Sequence, residues 1–143
     1  MLVRDAMTAR AETVGPGETL QVAAAKMRDL NVGALPVVDG SRLVGMITDR
    51  DITVRACAAG KDPTRAAVRE AMTPQVVWCF EDQDTREAAA IMEEKAIRRL
   101  MVVDHEERLT GVITVDDLAA AARQQALAGE VIDSAVAPRP PAG

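Results

Sequence analysis

Apolar and polar positions along this chain follow two alternating rhythms. Between Leu20 and Leu30, the apolar residues Leu20, Ala23, Met27 and Leu30 recur at three- and four-residue intervals, the period of one helix face. Thr19 stands just before them and is the predicted N-cap. From residue 35 the rhythm changes. Residues 35–38 are a short apolar run, Asp39-Gly40 is a turn signal, and 43–47 is a second run broken by Gly45. That reads as two strands joined by a tight turn. Thr48-Asp49-Arg50-Asp51 then places a hydroxyl and two carboxylates where the strand hands over to a helix. The helix is predicted over 51–59, with Gly60 as its C-terminal residue. A short extended piece, 11–14, precedes the first helix.

The whole pattern occurs twice. Val3-Arg4-Asp5-Ala6-Met7-Thr8 recurs as Val68-Arg69-Glu70-Ala71-Met72-Thr73, 65 residues later. Met27 and Met92, and Leu35 and Leu100, keep that offset. One residue is added in the second turn, so Gly45 and Gly111, and Thr48 and Thr114, are 66 apart. The second copy therefore predicts an extended piece over 76–80, then a helix capped by Asp84 with Glu87 at capping-box spacing. Another strand pair follows, then a helix over 117–127 ending near Gly129. Pro63 interrupts the 61–64 linker. We divide the chain into 1–64, 65–129 and a tail, 130–143, whose end carries Pro138, Pro140 and Pro141 and which is expected to be disordered. The expected class is α/β (mixed α+β). Two βαββα-type units pack their sheets together with pseudo-twofold symmetry and leave two clefts between them.

Composition narrows this further. The 143 residues suit one compact domain, and 48% are hydrophobic while only 1% are aromatic: Trp78 and Phe80, with no tyrosine. The core must come from Val, Ile, Leu, Met and Ala. A net charge of −5 argues against nucleic acid as partner, because phosphate backbones need a basic surface. Cys57 and Cys79 have no metal-like spacing and are expected to be reduced, buried thiols. With one histidine, no zinc set is expected, and no metal is assigned. No run is apolar enough for a signal peptide or a membrane helix, so a cytoplasmic protein without membrane contact is expected.

The candidate chemistry lies in Gly-x-x-Thr-x-x-Asp. Thr48 is at a helix N-cap and Asp51 in the first turn, where free N–H groups favour an electronegative ligand. A carboxylate three residues after the hydroxyl suits a sugar diol, and with apolar strands beside it forms a nucleoside pocket. The same residues can equally do nothing more than cap a helix. No serine or cysteine has a base beside it, and no enzyme activity is expected.

Met-Thr, an Ala-rich helix with Met, Leu-Pro-Val-Val-Asp and Leu-Val-Gly-Met-Ile-Thr-x-x-Asp-Ile together resemble the cystathionine-β-synthase (CBS) domain. Two copies resemble a CBS pair, or Bateman module, over residues 1 to about 127, and the GMITDRDI and AAGKDP stretches resemble stand-alone bacterial members. The resemblance implies a regulatory module binding an adenosine nucleotide, AMP or ATP, with no required cofactor. Ribose would fall to Thr48 and Asp51 in one cleft and to Thr114 and Asp117 in the other. Base and phosphates would meet Gly33, Ala34 and Leu35 in the first unit, and Arg98 and Arg99 in the second. The base pocket would comprise Thr13, Ala34, Pro36 and Trp78. An arginine pair suits phosphate, so the nucleotide is expected on Thr114 and Asp117 with its phosphate on Arg98 or Arg99. The second unit departs from the first: Met101 replaces Pro36, Glu106-Glu107 enlarge the turn near His105, and Trp78 replaces Thr13. Trp78 either stacks on the base or fills its pocket, and the latter would suit a pair that binds no nucleotide and serves as an interaction module. The resemblance also implies a homodimer through the helical faces of 51–59 and 117–127, and an unidentified effector protein.

Overall fold

The computed structural model describes residues 1–9 and 11–136, with side chains as far as Gly129. The chain opens with a short helix, α1 (Val3–Ala6), and a short strand, β1 (Thr8–Ala9). In the first unit α2 (Leu20–Leu30) precedes the antiparallel pair β2 (Ala34–Asp39) and β3 (Arg42–Thr48). A single helical turn, α3 (Asp49–Asp51), then continues as a π-helix over Ile52–Cys57. The second unit starts with a 3₁₀ turn, Val68–Glu70, followed by β4 (Trp78–Phe80) and α4 (Thr85–Lys95). It ends with β5 (Arg99–Val103), β6 (Leu109–Thr114) and α5 (Val115–Val136). Sheet order is β1-β6-β5-β4 in one sheet and β2-β3 in the other, with Val14 bridged in parallel to Val37 beside β2. The result is the mixed α/β pair of units that the repeat implied.

Period-two alternation sorts each hairpin. Leu35, Val37 and Ile47 turn inward to join Leu20, Ala23 and Met27 of α2 in one core. Leu100, Val102 and Ile113 join Ala88 and Met92 of α4 in the other. Thr19 caps α2, accepting from Val22 N–H at 3.3 Å.

The two Met-Thr hexapeptides change places. Val3 is fully buried in the second core, and its N–H donates to Gln83 O at 2.8 Å. Thr8 pairs with Val112, so β1 is an edge of the second unit's sheet. Conversely, Val68 and Ala71 lie in the first core, and Thr73 exchanges hydrogen bonds with Met46 at 2.8 and 2.9 Å. Each unit of the repeat is thus strapped by the other's leading segment. The straps also explain Gly45 and Gly111. A Cβ on Gly45 would lie 2.8 Å from Thr73 O, and one on Gly111 2.7 Å from both Thr8 O and Met7 Sδ. The group that approaches these glycines closely is the chain's own Met-Thr segment.

At the opposite end the two hairpin turns join. Arg42 bridges Arg108, Leu43 N–H donates to Glu107 O at 3.1 Å, and Leu109 N–H donates to Ser41 O at 3.0 Å. The enlarged second turn makes this possible. Glu107 adopts φ 63° and sets its carboxylate 2.6 Å from Arg42 Nη2.

Several local expectations need correction. Leu30 is not on the buried face of α2 but 42% exposed. Glu87 forms no capping box, because its carboxylate accepts from Gln83 Nε2 at 2.9 Å while Asp84 alone caps α4. The helix over 51–59 is mostly π: the Thr53 hydroxyl donates to Asp49 O at 3.0 Å, and Ala58 N–H reaches back to Thr53 O. Cys57 is exposed on that helix, whereas Cys79 is buried and both are unbonded. Burial pushes the Cys79 thiol up to about 11. The last helix does not end near Gly129 but runs through it to Val136, so the expected tail begins as helix, and 137–143 lie outside the described residues.

Candidate functional site

Where the two sheets face each other they enclose a cavity of about 320 Å³, within the range of small-molecule sites. The alternation that sends Leu35 and Val37 to the core sends Ala34 and Pro36 to this cavity, with Met46 opposite Pro36 on β3. Ala11, Glu12, Leu30 and Val32 form its first-unit rim. The facing wall is Arg99, Met101 and Val112, with Thr8 of the strap. Its walls are mostly apolar and carry two charged groups, Glu12 and Arg99. Both are exposed, and neither has a hydrogen-bond or ion-pair partner among the described residues.

The strand ends beside the cavity carry the Thr–Asp pairs. Thr48 is paired with Ala34 across the first hairpin, and Thr114 with Arg99 across the second. Both pairs form reciprocal caps. Asp51 N–H donates to Thr48 Oγ1 and Thr48 N–H to Asp51 Oδ2, each at 3.0 Å. Asp117 N–H donates to Thr114 Oγ1 at 3.1 Å and Thr114 N–H to Asp117 Oδ2 at 2.9 Å. The capping box closes one oxygen of each carboxylate and aims the side chain back at the strand end. Asp51 Oδ1 lies 3.8 Å from Arg55 Nε, while Asp117 Oδ1 has no partner among the described residues.

The expected site residues are only partly brought together. Ala34, Pro36 and Arg99 share the cavity. Leu35 reaches it while packing mainly in the core, and Gly33 packs against the Asp49 carboxylate. Thr13 lines an adjoining space of about 170 Å³ toward the hairpin turns, and its carbonyl accepts from Lys26 Nζ at 2.8 Å. Arg98 points elsewhere, into a groove between α4 and α5. Trp78 is half-buried, edge-on to Phe80 at 4.9 Å between centroids, and does not line the cavity. Phe80 in turn stacks on His105 at 4.4 Å. The unexpected members include Glu12, Thr8, Met46 and Val112, and with them Ala11, Leu30, Val32 and Met101. The strand alternation that places Ile47 in the core could have found Met46. Thr8 arrives through the exchanged strap, and nothing local in the sequence marks it.

Among the described residues, no three His, Cys, Asp or Glu side chains come together as a metal site, and no helix is long and apolar enough to cross a membrane.

The family model of the CBS domain matches residues 3–56 and again 68–124. Hypoxic response protein 1 of Mycobacterium tuberculosis is 41% identical over 117 residues, 81% of each chain. The crystal structure of Hypoxic Response Protein I with two coordinated zinc ions has a TM-score of 0.73 at 39% identity, covering 84% of this chain and 98% of that one. CBSX2, a CBS-pair protein of Arabidopsis thaliana solved in complex with AMP, has a TM-score of 0.74 at 28% identity, covering 87% and 98%.

Proposed function

The chain belongs to the CBS-domain family, and on that footing we propose that it is a regulatory module. It takes an adenosine nucleotide between its two motifs and passes the occupancy to a partner protein. The observation that carries this is the cavity between the sheets. It has apolar walls for a base and the unpaired Arg99 guanidinium for a phosphate; the Thr48–Asp51 and Thr114–Asp117 pairs that would take a ribose stand outside its lining, at the strand ends opposite Ala34 and Arg99. AMP in the structurally similar CBSX2 supports the ligand class. A module of this kind turns nothing over, and release of AMP or phosphate from ATP would count against it. The chain forms a homodimer through its exposed helical faces, where Val54 is 51% and Leu127 60% exposed. Light scattering giving the 15.2 kDa monomer mass at micromolar concentration would refute that.

A second reading has its own support. Both Thr–Asp pairs are already engaged as capping boxes, which accounts for them without a ligand. On that reading the pair binds no nucleotide and works as an interaction module. Thermal shift against AMP, ADP, ATP, NAD and S-adenosylmethionine separates the two. Ligand at about 100 times its dissociation constant stabilises a fold by roughly 2.7 kcal/mol, a melting shift of several degrees. No shift with any of the five would decide for the ligand-free module.

A further inference from the structure

The helix after β3 differs from its counterpart after β6. Over Ile52–Cys57 it is π, whereas α5 is α from its first residue. Two side chains mark the difference. The Thr53 hydroxyl donates to Asp49 O at 3.0 Å, and Ala58 N–H reaches past Val54 to Thr53 O at 3.0 Å. Arg55 Nη1 donates to Met72 O at 3.1 Å and to Ala71 O at 3.4 Å, while Arg55 Nε lies 3.8 Å from Asp51 Oδ1. The counterparts in α5, 66 residues on, are Ala119 and Ala121, with neither hydroxyl nor guanidinium. Arg55 therefore ties the π-helix to the end of the strap, and the second unit, with alanine at both places, has no such tie. The strap end leads on to the cavity. Thr73, next to Met72, exchanges backbone hydrogen bonds with Met46, and Met46 lines the cavity. On its outer side the π-helix presents Val54 and Cys57 to solvent. One guanidinium thus stands between a cavity wall and an exposed face.

Resting on the regulatory reading above, we propose that Ile52–Cys57 is the module's conformational switch, with Arg55 as the positioning residue that couples it to Met46. Hydrogen bonding in π and α helices differs by one residue. Conversion therefore turns one part of the helix against the other by about 100° around its axis. That takes Arg55 off the Ala71 and Met72 carbonyls and re-aims Val54 and Cys57. A shift of Met46 reaches the exposed face by the reverse route, because coupling between two sites is reciprocal. The face that is re-aimed is the surface a partner protein reads. The Thr48–Asp51 cap needs no contact with a ligand for this.

Two local readouts on the full chain test the coupling. Cys57 is exposed and Cys79 buried, so labelling with a maleimide follows the helix. Native-state hydrogen exchange at the Met46 and Thr73 amides follows the strap end. Thr53→Val removes the hydroxyl and keeps the shape. It should change the Cys57 labelling rate about threefold or more and lower protection at Met46 and Thr73 about five- to tenfold, and Thr53→Ser should do neither. Arg55→Gln should lower the same protection by a similar factor, and in that background Thr53→Val should add nothing at the strap. From the strap side, Gly45→Ala brings a Cβ to 2.8 Å from Thr73 O and should change Cys57 labelling only while Arg55 is present. The Thr8 and Val112 amides of the other strap should stay within about twofold throughout. Unchanged protection at Met46 and Thr73 in Thr53→Val, additive effects of Thr53→Val and Arg55→Gln, or equal losses at both straps would each overturn the switch. None of these outcomes touches the nucleotide reading, which the thermal shifts decide separately.

Discussion

Single residues account for most of what differs between the two halves. His105, in the enlarged turn, sets its Nε2 2.7 Å from Asp82 Oδ2. That hydrogen bond raises the imidazole above its ordinary 6.5 and holds the Asp82 carboxyl below its ordinary 3.8. A group whose folded value is raised stabilises the fold fully below its unfolded value and loses that stabilisation as pH rises through the folded one. The Asp82 contribution runs the other way, present above its ordinary value and lost as pH falls through the lowered one. His105→Gln should therefore lower the melting temperature at about pH 5.5 and much less at about pH 8.5. An equal loss at both would assign the effect to stacking on Phe80. Ala96 is a second such residue. It closes α4 at φ 54°, as Asn31 closes α2, in the left-handed region where a Cβ is costly. Ala96→Gly should raise the unfolding free energy by about 1 kcal/mol in denaturant titration. The adjacent arginines mark a limit of residue-level reading. The sequence presents Arg98 and Arg99 as one basic pair, but period-two geometry sends them to different faces, and only Arg99 reaches the cavity.

At the scale of elements, periodicity and turn chemistry carry the first helix and both strand pairs but not every cap or helix end, and the contacts between distant segments leave no local signal. The helix over Leu20–Leu30, its Thr19 cap and both hairpins follow from periodicity and turn chemistry, which act between near neighbours. The π-helix did not follow, because it depends on the Thr53 hydroxyl occupying a backbone carbonyl. Nor did the length of α5. The run of Ala and Gln before Gly129 propagates helix strongly enough to carry one glycine through. A Cβ at Gly129 would meet nothing within 4 Å, so Gly129→Ala should stabilise the chain by about 0.5–1 kcal/mol. A loss of stability there would mean the position is covered. The strap glycines should behave oppositely. At Gly111 a Cβ collides with the backbone oxygen of Thr8, and no side-chain adjustment relieves that contact. Gly111→Ala should cost about 1–3 kcal/mol, and trimming the other contact with Met7→Ala should not restore it.

For the whole molecule, the exchanged straps decide how the halves depend on each other. The repeat divides the chain near residue 64, yet neither core is complete within its own stretch of sequence. The second core needs Val3 and the first needs Val68. Here the segment before Ala9 carries a fully buried valine, a sheet edge and several backbone bonds. Val3→Ala should therefore cost about 2–3 kcal/mol, as for a core position, from lost transfer energy and the cavity left behind. Because the residues lost from one core are tethered to the other unit, the halves should also unfold together. The hairpin turns reinforce this through the Arg42–Glu107 contact and the backbone bonds around it. Scanning calorimetry should show one transition whose calorimetric and van't Hoff enthalpies agree. Val3→Ala and Val68→Ala should each move that whole transition, although each alters only one core. Two resolved transitions, with Val3→Ala shifting one and Val68→Ala the other, would show that the straps join the units without coupling their stability.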